Sequence, residues 1–290
     1  MSEELQKYVA AQQILLAHDD LPALDETIED VGETTYRYIH THYLWQTAGI
    51  LVITAVLSIV AVWAVAKGLD VRVLIVPFIL PIVAFRWVRD RIQGVFMKQF
   101  ADANGFSFQR KGALLEDEAG SVFNRGRAKQ FLNIVKGKFL GRPLQLFNYK
   151  YTEGRGRSSH VFRYTIFELE FSANLPRMYL DAHPEGHNKS PGWRLSNLER
   201  ISLESNEFNK NFTLFAESGG HIDALRVFTP DLMSELLKIP EKLDFELVGD
   251  QIYVYADGLV TKKFRLQYMF IFAKHLMMNL GYVLERMRPV

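Results

Sequence analysis

The sequence predicts an α+β membrane protein: a transmembrane helical hairpin followed by a cytoplasmic antiparallel-sheet domain with packed helices. Three observations carry that class. Residues 46–66 contain no charge, and at about 1.5 Å per helical residue they cover the ~30 Å hydrocarbon core of a bilayer. A second apolar segment, Val73 to Phe85, follows after a turn too short to hold a domain. Beyond Phe106 the apolar period changes from that of a helix to the alternation of strands. Residues 1–45 read as an acidic helical arm, 46–89 as the hairpin and 90–290 as the α+β domain.

The first span is unambiguous by length and composition. The second gives only about 20 Å of uncharged helix and carries Pro77 and Pro81. It crosses if Arg72 and Arg86, one at each end, extend their guanidinium groups to the headgroups, and prolines are tolerated in helices packed against a neighbour. A re-entrant segment is the competing reading. Trp45, Trp63 and Trp87 sit near the span ends, where indole rings favour the headgroup layer. Lysine and arginine number five outside the turn (Arg37, Arg86, Arg89, Arg91, Lys98) against Lys67 and Arg72 within it, so both termini and the main domain are expected on the cytoplasmic side. The opening residues are acidic and lack an apolar signal region, so the first span itself is expected to target the chain to the membrane.

The net charge of +1 conceals an asymmetry. Residues 1–35 hold nine acids and one lysine, a balance of −8, whereas residues 110–163 hold twelve cations and four acids, a balance of +8. The absence of cysteine excludes disulfides and thiol chemistry. Helices are expected over Glu3 to Ala17 and over Ala23 to Trp45, and a helical stripe through Val88, Ile92, Val95, Phe96 and Phe100 extends the second span as a stalk to Asn104-Gly105, a pair suited to a left-handed cap.

Leu144 to Tyr151 and Val161 to Phe171 form the first strong hairpin pattern, with Thr152 to Ser159 as its loop. Phe167, Leu169 and Phe171 alternate with Glu168 and Glu170, which predicts one buried and one wet face. Thr229-Pro230-Asp231 opens a short helix that Pro240 stops. Leu243 to Val248 and Gln251 to Ala256 flank a Gly249-Asp250 turn as a second hairpin. Leu266, Met269, Phe270, Ala273, Met277, Leu280 and Leu284 form a helical stripe over Lys262 to Met287; Lys274, His275 and Asn279 in its middle argue against a third span.

The run Leu203-Glu204, Phe208, Phe212, Leu214, then Phe228 to Met233 and the hairpin ending Ile252-Tyr253-Val254, resembles an uncharacterised bacterial family of membrane-anchored domains of unknown function (DUF3137 type). The resemblance covers about Gln46 to Gly258 and is sharpest from Ile201 to Ala256. It implies two spans ahead of the domain, residence in the bacterial inner membrane and association with membrane proteins of the LemA type, and it carries over no catalytic residue. Family members tend to have acids where this chain has Ser218-Gly219-Gly220.

The candidate site residues are cations. Arg125, Arg127, Lys129, Lys136, Lys138 and Arg142 interleave with Phe131, Leu132, Ile134, Val135 and Phe139, the pattern of a surface for an anionic leaflet. Arg155 and Arg157 in the glycine-rich loop could hold an anion, although that loop lacks the lysine and following helix of a P-loop. Pairing with the acidic arm is an alternative use of these charges. Nucleic acid is the poorer match, because a tethered domain meets lipid first. Asp181, His183, Glu185 and His187 are metal-ligand types, but proline and glycine make that stretch an ordinary loop. Glu168 and Glu170 as an acid–base pair is set against a plain solvated strand face. No cofactor is called for. The sequence therefore predicts a membrane-anchored interaction or scaffold module that is not a catalyst; the alternative is a hydrolase or anion-handling enzyme whose site the sequence does not name.

Overall fold

A computed structural model describes residues 21–24, 28, 30, 44–112, 119–171, 175–182 and 197–287. Helix α1, Leu44–Ala66, is a continuous 23-residue helix. The hydroxyls of Thr54 and Ser58 are satisfied within the helix, Thr54 Oγ1 donating to the Ile50 carbonyl at 2.7 Å and Ser58 Oγ to that of Thr54 at 2.8 Å, so neither needs water as a partner. A turn and a 3-10 segment, Val71–Ile75, lead into α2, Val76–Ala103. Pro77 falls in the first turn of α2, where a missing N–H costs nothing. Pro81 lies inside the helix, which continues past it.

At 28 residues α2 is about 42 Å long. It runs out of the hairpin and directly into the domain. The expected stalk is instead a core element: Ile92, Phe96, Met97, Phe100 and Ala101 are buried against the sheet. The helix stops at Asn104, and Gly105 adopts φ +65° while the Phe106 amide donates back to the Ala101 carbonyl at 2.8 Å, a left-handed close that favours glycine.

The domain is built on one nine-stranded antiparallel sheet. Its strands are β1 (Ser107–Gly112), β2 (Arg127–Phe139), β3 (Arg142–Glu153), β4 (His160–Glu170), β5 (Met178–Asp181), β6 (Leu198–Ile201), β7 (Thr213–Glu217), β8 (Asp244–Val248) and β9 (Gln251–Asp257), in spatial order β1-β2-β3-β4-β9-β8-β5-β7-β6. Short helices α3 (Asn206–Asn211), α4 (His221–Val227) and α5 (Pro230–Lys238) and the long α6 (Lys263–Met287) complete it. The predicted cap of α5 is formed, with the Leu232 amide donating to Thr229 Oγ1 at 3.3 Å and Pro230 in the first turn.

Both faces of the sheet are covered. Val135, Phe139, Leu144, Leu146, Phe167, Leu169, Ile252 and Val254 meet side chains of α2 and α6 on one face. The alternate residues Phe147, Tyr149, Tyr151, Ile166, Tyr253 and Tyr255 form an aromatic cluster on the other, capped by Val122 and Phe123 of the 3-10 segment Ser121–Asn124. This corrects the expected wet face of β4: Glu168 is buried, and only Glu170 of the pair is exposed. Alternation reports which residues share a face, and a second layer over that face is invisible to it.

The arm also departs from expectation. The helix predicted from Ala23 is not formed at Ala23, Leu24, Ile28 or Asp30. The Ala23 amide donates to Asn104 Oδ1 at 2.7 Å, and Asn104 Nδ2 donates to the Ala23 carbonyl at 2.9 Å. Ile28 enters the main core, and Asp30 Oδ1 accepts from the Lys263 amide at the start of α6 at 2.7 Å. These side chain-to-backbone bonds take the place of helical ones. The helix expected over Glu3 to Ala17 lies outside the described residues.

Candidate functional site

Beneath α2, on the helix-covered face of the sheet, lies a cavity of about 50 Å³ lined by Gln93 of α2, Gln130, Leu132 and Asn133 of β2, Asn148, Tyr149 and Lys150 of β3, Arg163 of β4 and Leu259. Gly94 makes this approach of helix to sheet possible. A Cβ at that position would sit 2.9 Å from Asn133 Oδ1 and 3.9 Å from Arg110 Cζ. Asn133 takes φ +53° where the β2–β3 register shifts, a left-handed conformation that asparagine tolerates better than most residues.

The lining has an unusual balance of donors. Gln93 and Asn148 are 3% and 1% exposed, and Gln93 Nε2 and Asn148 Nδ2 have no hydrogen-bond acceptor. The Asn148 amide is oriented by its neighbour: Thr165 Oγ1 accepts from the Val260 amide at 2.7 Å and donates to Asn148 Oδ1 at 3.0 Å, which leaves Nδ2 as the unsatisfied end. Lys150 and Arg163 are directly opposite in the β3–β4 register, where like charges repel. Neither makes an ion pair among the described residues, and no carboxylate lines the cavity. Two buried amide donors without partners and two cationic residues thus line one space that holds no carboxylate.

The cations singled out in the sequence are distributed along β2 and do not form one cluster. Seven residues separate Lys129 from Lys136, about 23 Å along a strand. At one end, Arg125 pairs with Glu153 at 3.3 Å, Arg127 donates to the Gly154 carbonyl at 3.2 Å, Lys129 Nζ donates to the Phe123 carbonyl at 2.5 Å, and Arg155 is exposed at the hairpin tip. Arg157 falls in the 3-10 turn Gly156–Ser158 of the same tip. At the other end, Lys136 and Lys138 are exposed, and Arg142 lies over the Phe171 ring at 4.9 Å. The polarity of α2 distinguishes the two ends. Gly94 lies over Asn133, whereas Phe100 meets Phe106, whose ring lies against Gly137. Helix α2 therefore runs in the direction of β2, and its hairpin end lies toward Arg125, Arg127, Lys150, Arg155 and Arg163.

A second polar group sits on the aromatic face. Glu246 is wholly buried and accepts from the Ser121 amide (2.9 Å), Ser121 Oγ (2.5 Å), Arg177 Nε (3.0 Å) and Nη2 (2.6 Å), and Tyr255 Oη (2.8 Å). Burial, and then the Glu246 charge beside it, hold the Tyr255 phenol well above its usual range. Every lone-pair direction of Glu246 is used. The group clamps the 121–124 segment onto the sheet and offers no open face to a substrate. Among the described residues no cluster of three or more metal-ligating side chains occurs. Asp181 is buried in β5, and His183, Glu185 and His187 lie outside the described residues.

The sequence matches no protein-family model and no curated protein. Among solved structures, the crystal structure of the mycobacterial trehalose monomycolate transport factor A, TtfA, is similar to this chain with a TM-score of 0.45 and 12% identity, over 68% of this chain and 97% of that one. A likeness of that size assigns neither activity nor partner.

Proposed function

We propose that this chain is a membrane-anchored binding module: α1 and the first half of α2 cross the bilayer as a hairpin, and the sheet domain sits against the cytoplasmic surface of a bacterial inner membrane without catalysing a reaction. The observation that carries the reading is α1. It is the one described helix long and apolar enough to cross a membrane, and only 6% of its Ala48–Ala66 window is buried by the rest of the protein. Leu51, Val52, Ile59 and Trp63 are each more than 60% exposed, a band of apolar surface that water would not leave uncovered. The 3-10 segment and α2 up to Phe85 add about 25 Å of rise beside α1, which a tilted or locally thinned bilayer accommodates. Because α2 continues unbroken into the core, the domain would be held at the surface in one orientation, with the Arg125, Arg127 and Arg155 end toward the lipid. That end supports contact with anionic headgroups. Lys136 and Lys138 point the reading the other way, toward a protein partner such as the LemA-type proteins that the family resemblance implies.

The test uses single introduced thiols, which the cysteine-free sequence makes unambiguous. Leu69→Cys in the turn should react with an impermeant maleimide in spheroplasts, and Glu204→Cys in the domain should react only after lysis. Reaction of both thiols, or of Glu204→Cys alone, in intact spheroplasts would sink the topology.

A further inference from the structure

We propose that the cavity beneath α2 binds an oxyanion of phosphate or carboxylate size through Gln93 Nε2, Asn148 Nδ2, Lys150 and Arg163. A buried amide donor without an acceptor costs about 1–3 kcal/mol, and this cavity has two of them in residues 97% and 99% buried. Opposed like charges on neighbouring strands add to the cost. A ligand that brings several acceptors and negative charge removes both penalties together. Water supplies acceptors but not the negative charge that Lys150 and Arg163 would attract.

Size and chemistry narrow the ligand. One water needs roughly 10–15 Å³ of such a space and the cavity offers about 50 Å³, so it takes roughly three to five oxygen-sized positions, as a phosphate or carboxylate group would fill. Planar amide and guanidinium donors suit such an oxyanion, and its bonds to cations are of the stronger, charge-assisted kind. The Thr165 hydroxyl, fixed by the Val260 amide, holds Asn148 in the donor-facing orientation. Gly94 keeps the roof low over Asn133 and Arg110. Arg110 stands beside the site as a further cation.

The anion has two possible sources. Gln93 lies seven residues beyond Arg86, about 10 Å along α2 from the expected membrane boundary, and β3 extends about 10 Å past Lys150 in the same direction before the hairpin tip. A phosphomonoester headgroup is therefore one source, and free phosphate the other. The lipid source rests on the proposed membrane reading; occupancy of the cavity does not.

The experiment uses the full chain. In neutral detergent, inorganic phosphate is titrated at constant ionic strength against chloride and read by calorimetry and by the thermal midpoint. Saturable binding of phosphate and a raised midpoint are expected. Arg163→Gln, at an exposed position, should weaken that binding about tenfold by removing one charge-assisted contact, and Asn148→Leu should weaken it similarly, while Lys136→Gln should leave it unchanged. In phosphatidylcholine nanodiscs with and without phosphatidic acid, a headgroup source predicts a higher midpoint with phosphatidic acid and no further gain from phosphate; a free source predicts the same gain from phosphate in both discs. No saturable response to phosphate or phosphatidic acid, or a response indifferent to Arg163→Gln, overturns the proposal. Failure here leaves the thiol-labelling pattern intact, and failure of the labelling pattern leaves the detergent titration intact.

Discussion

Helices α1 and α6 are of similar length, 23 and 25 residues, and both are rich in apolar side chains, yet they meet opposite surroundings. In α1, Leu51, Val52, Ile59 and Trp63 are each more than 60% exposed, and Ala61 is the one buried apolar residue described. In α6, Leu266, Met269, Phe270, Phe272, Ala273, Leu276 and Leu280 are buried under the sheet. The difference lies in the polar residues. Helix α1 carries no charged side chain, and its Thr54 and Ser58 hydroxyls bond to their own helix, so among the described residues no side-chain polar bond ties it to the domain. Helix α6 carries polar groups with protein partners: Asn279 Nδ2 donates to the Val227 carbonyl, Arg265 pairs with Glu241, and Asp30 accepts from the amide at its start. An apolar helix with matched polar partners belongs to a core; one without them needs a different solvent. Covering the exposed side chains of α1 with lipid is worth on the order of 10 kcal/mol at about 25 cal/mol per Å².

The sharpest way to break that contrast is truncation in each helix. Phe270 contacts the rings of Phe100, Phe139 and Phe167, so Phe270→Ala should destabilise the domain by about 3–5 kcal/mol in denaturant unfolding. Ile59→Ala in α1 should change the same transition by less than about 0.5 kcal/mol. Equal effects would mean that α1 is part of the domain core.

The aromatic face offers a smaller effect. Glu246→Gln leaves Arg177 without its buried counter-charge. Because the Arg177 side chain is 30% exposed and water replaces part of the loss, the expected cost is about 2 kcal/mol, read as a lower denaturant midpoint with an unchanged slope. The smallest effect is an alkaline one. The folded Tyr255 phenol titrates above its unfolded value of about 10, so its contribution is complete below that value and is lost as pH rises through the folded one. Stability should be flat through neutral pH and fall above about pH 10, and Tyr255→Phe should flatten that alkaline limb.

Much of this architecture could be read from residue patterns. The β3–β4 and β8–β9 hairpins and the α5 cap were legible because turn chemistry and period are local signals, and the core placement of α6 followed from Lys274, His275 and Asn279. Glu168 was misjudged because the layer that covers it comes from residues 121–124 and from neighbouring strands. The unsatisfied donors were not legible either. Gln93, Asn148 and Arg163 are brought together by α2 crossing the sheet, which joins residues 55 and 70 positions apart in the chain. Pairing outward from the predicted loop, Thr152 to Ser159, sets Lys150 opposite Val161; only the observed register, with Glu153 opposite His160, brings Lys150 to Arg163. The basic stretch, by contrast, looked continuous in sequence and is divided between the two ends of β2, because a strand carries its charges along its length.

The central claim is that α1 lies in a bilayer and holds the domain to it. Flotation of membranes carrying the full chain after alkaline carbonate treatment tests it most directly. The account predicts that the wild-type chain stays with the lipid and that Val56→Arg combined with Ile59→Arg, at about 3 kcal/mol for each arginine near the helix centre, shifts it to the soluble fraction with the domain still folded. Release of the wild-type chain by carbonate, or retention of the double variant, would contradict it.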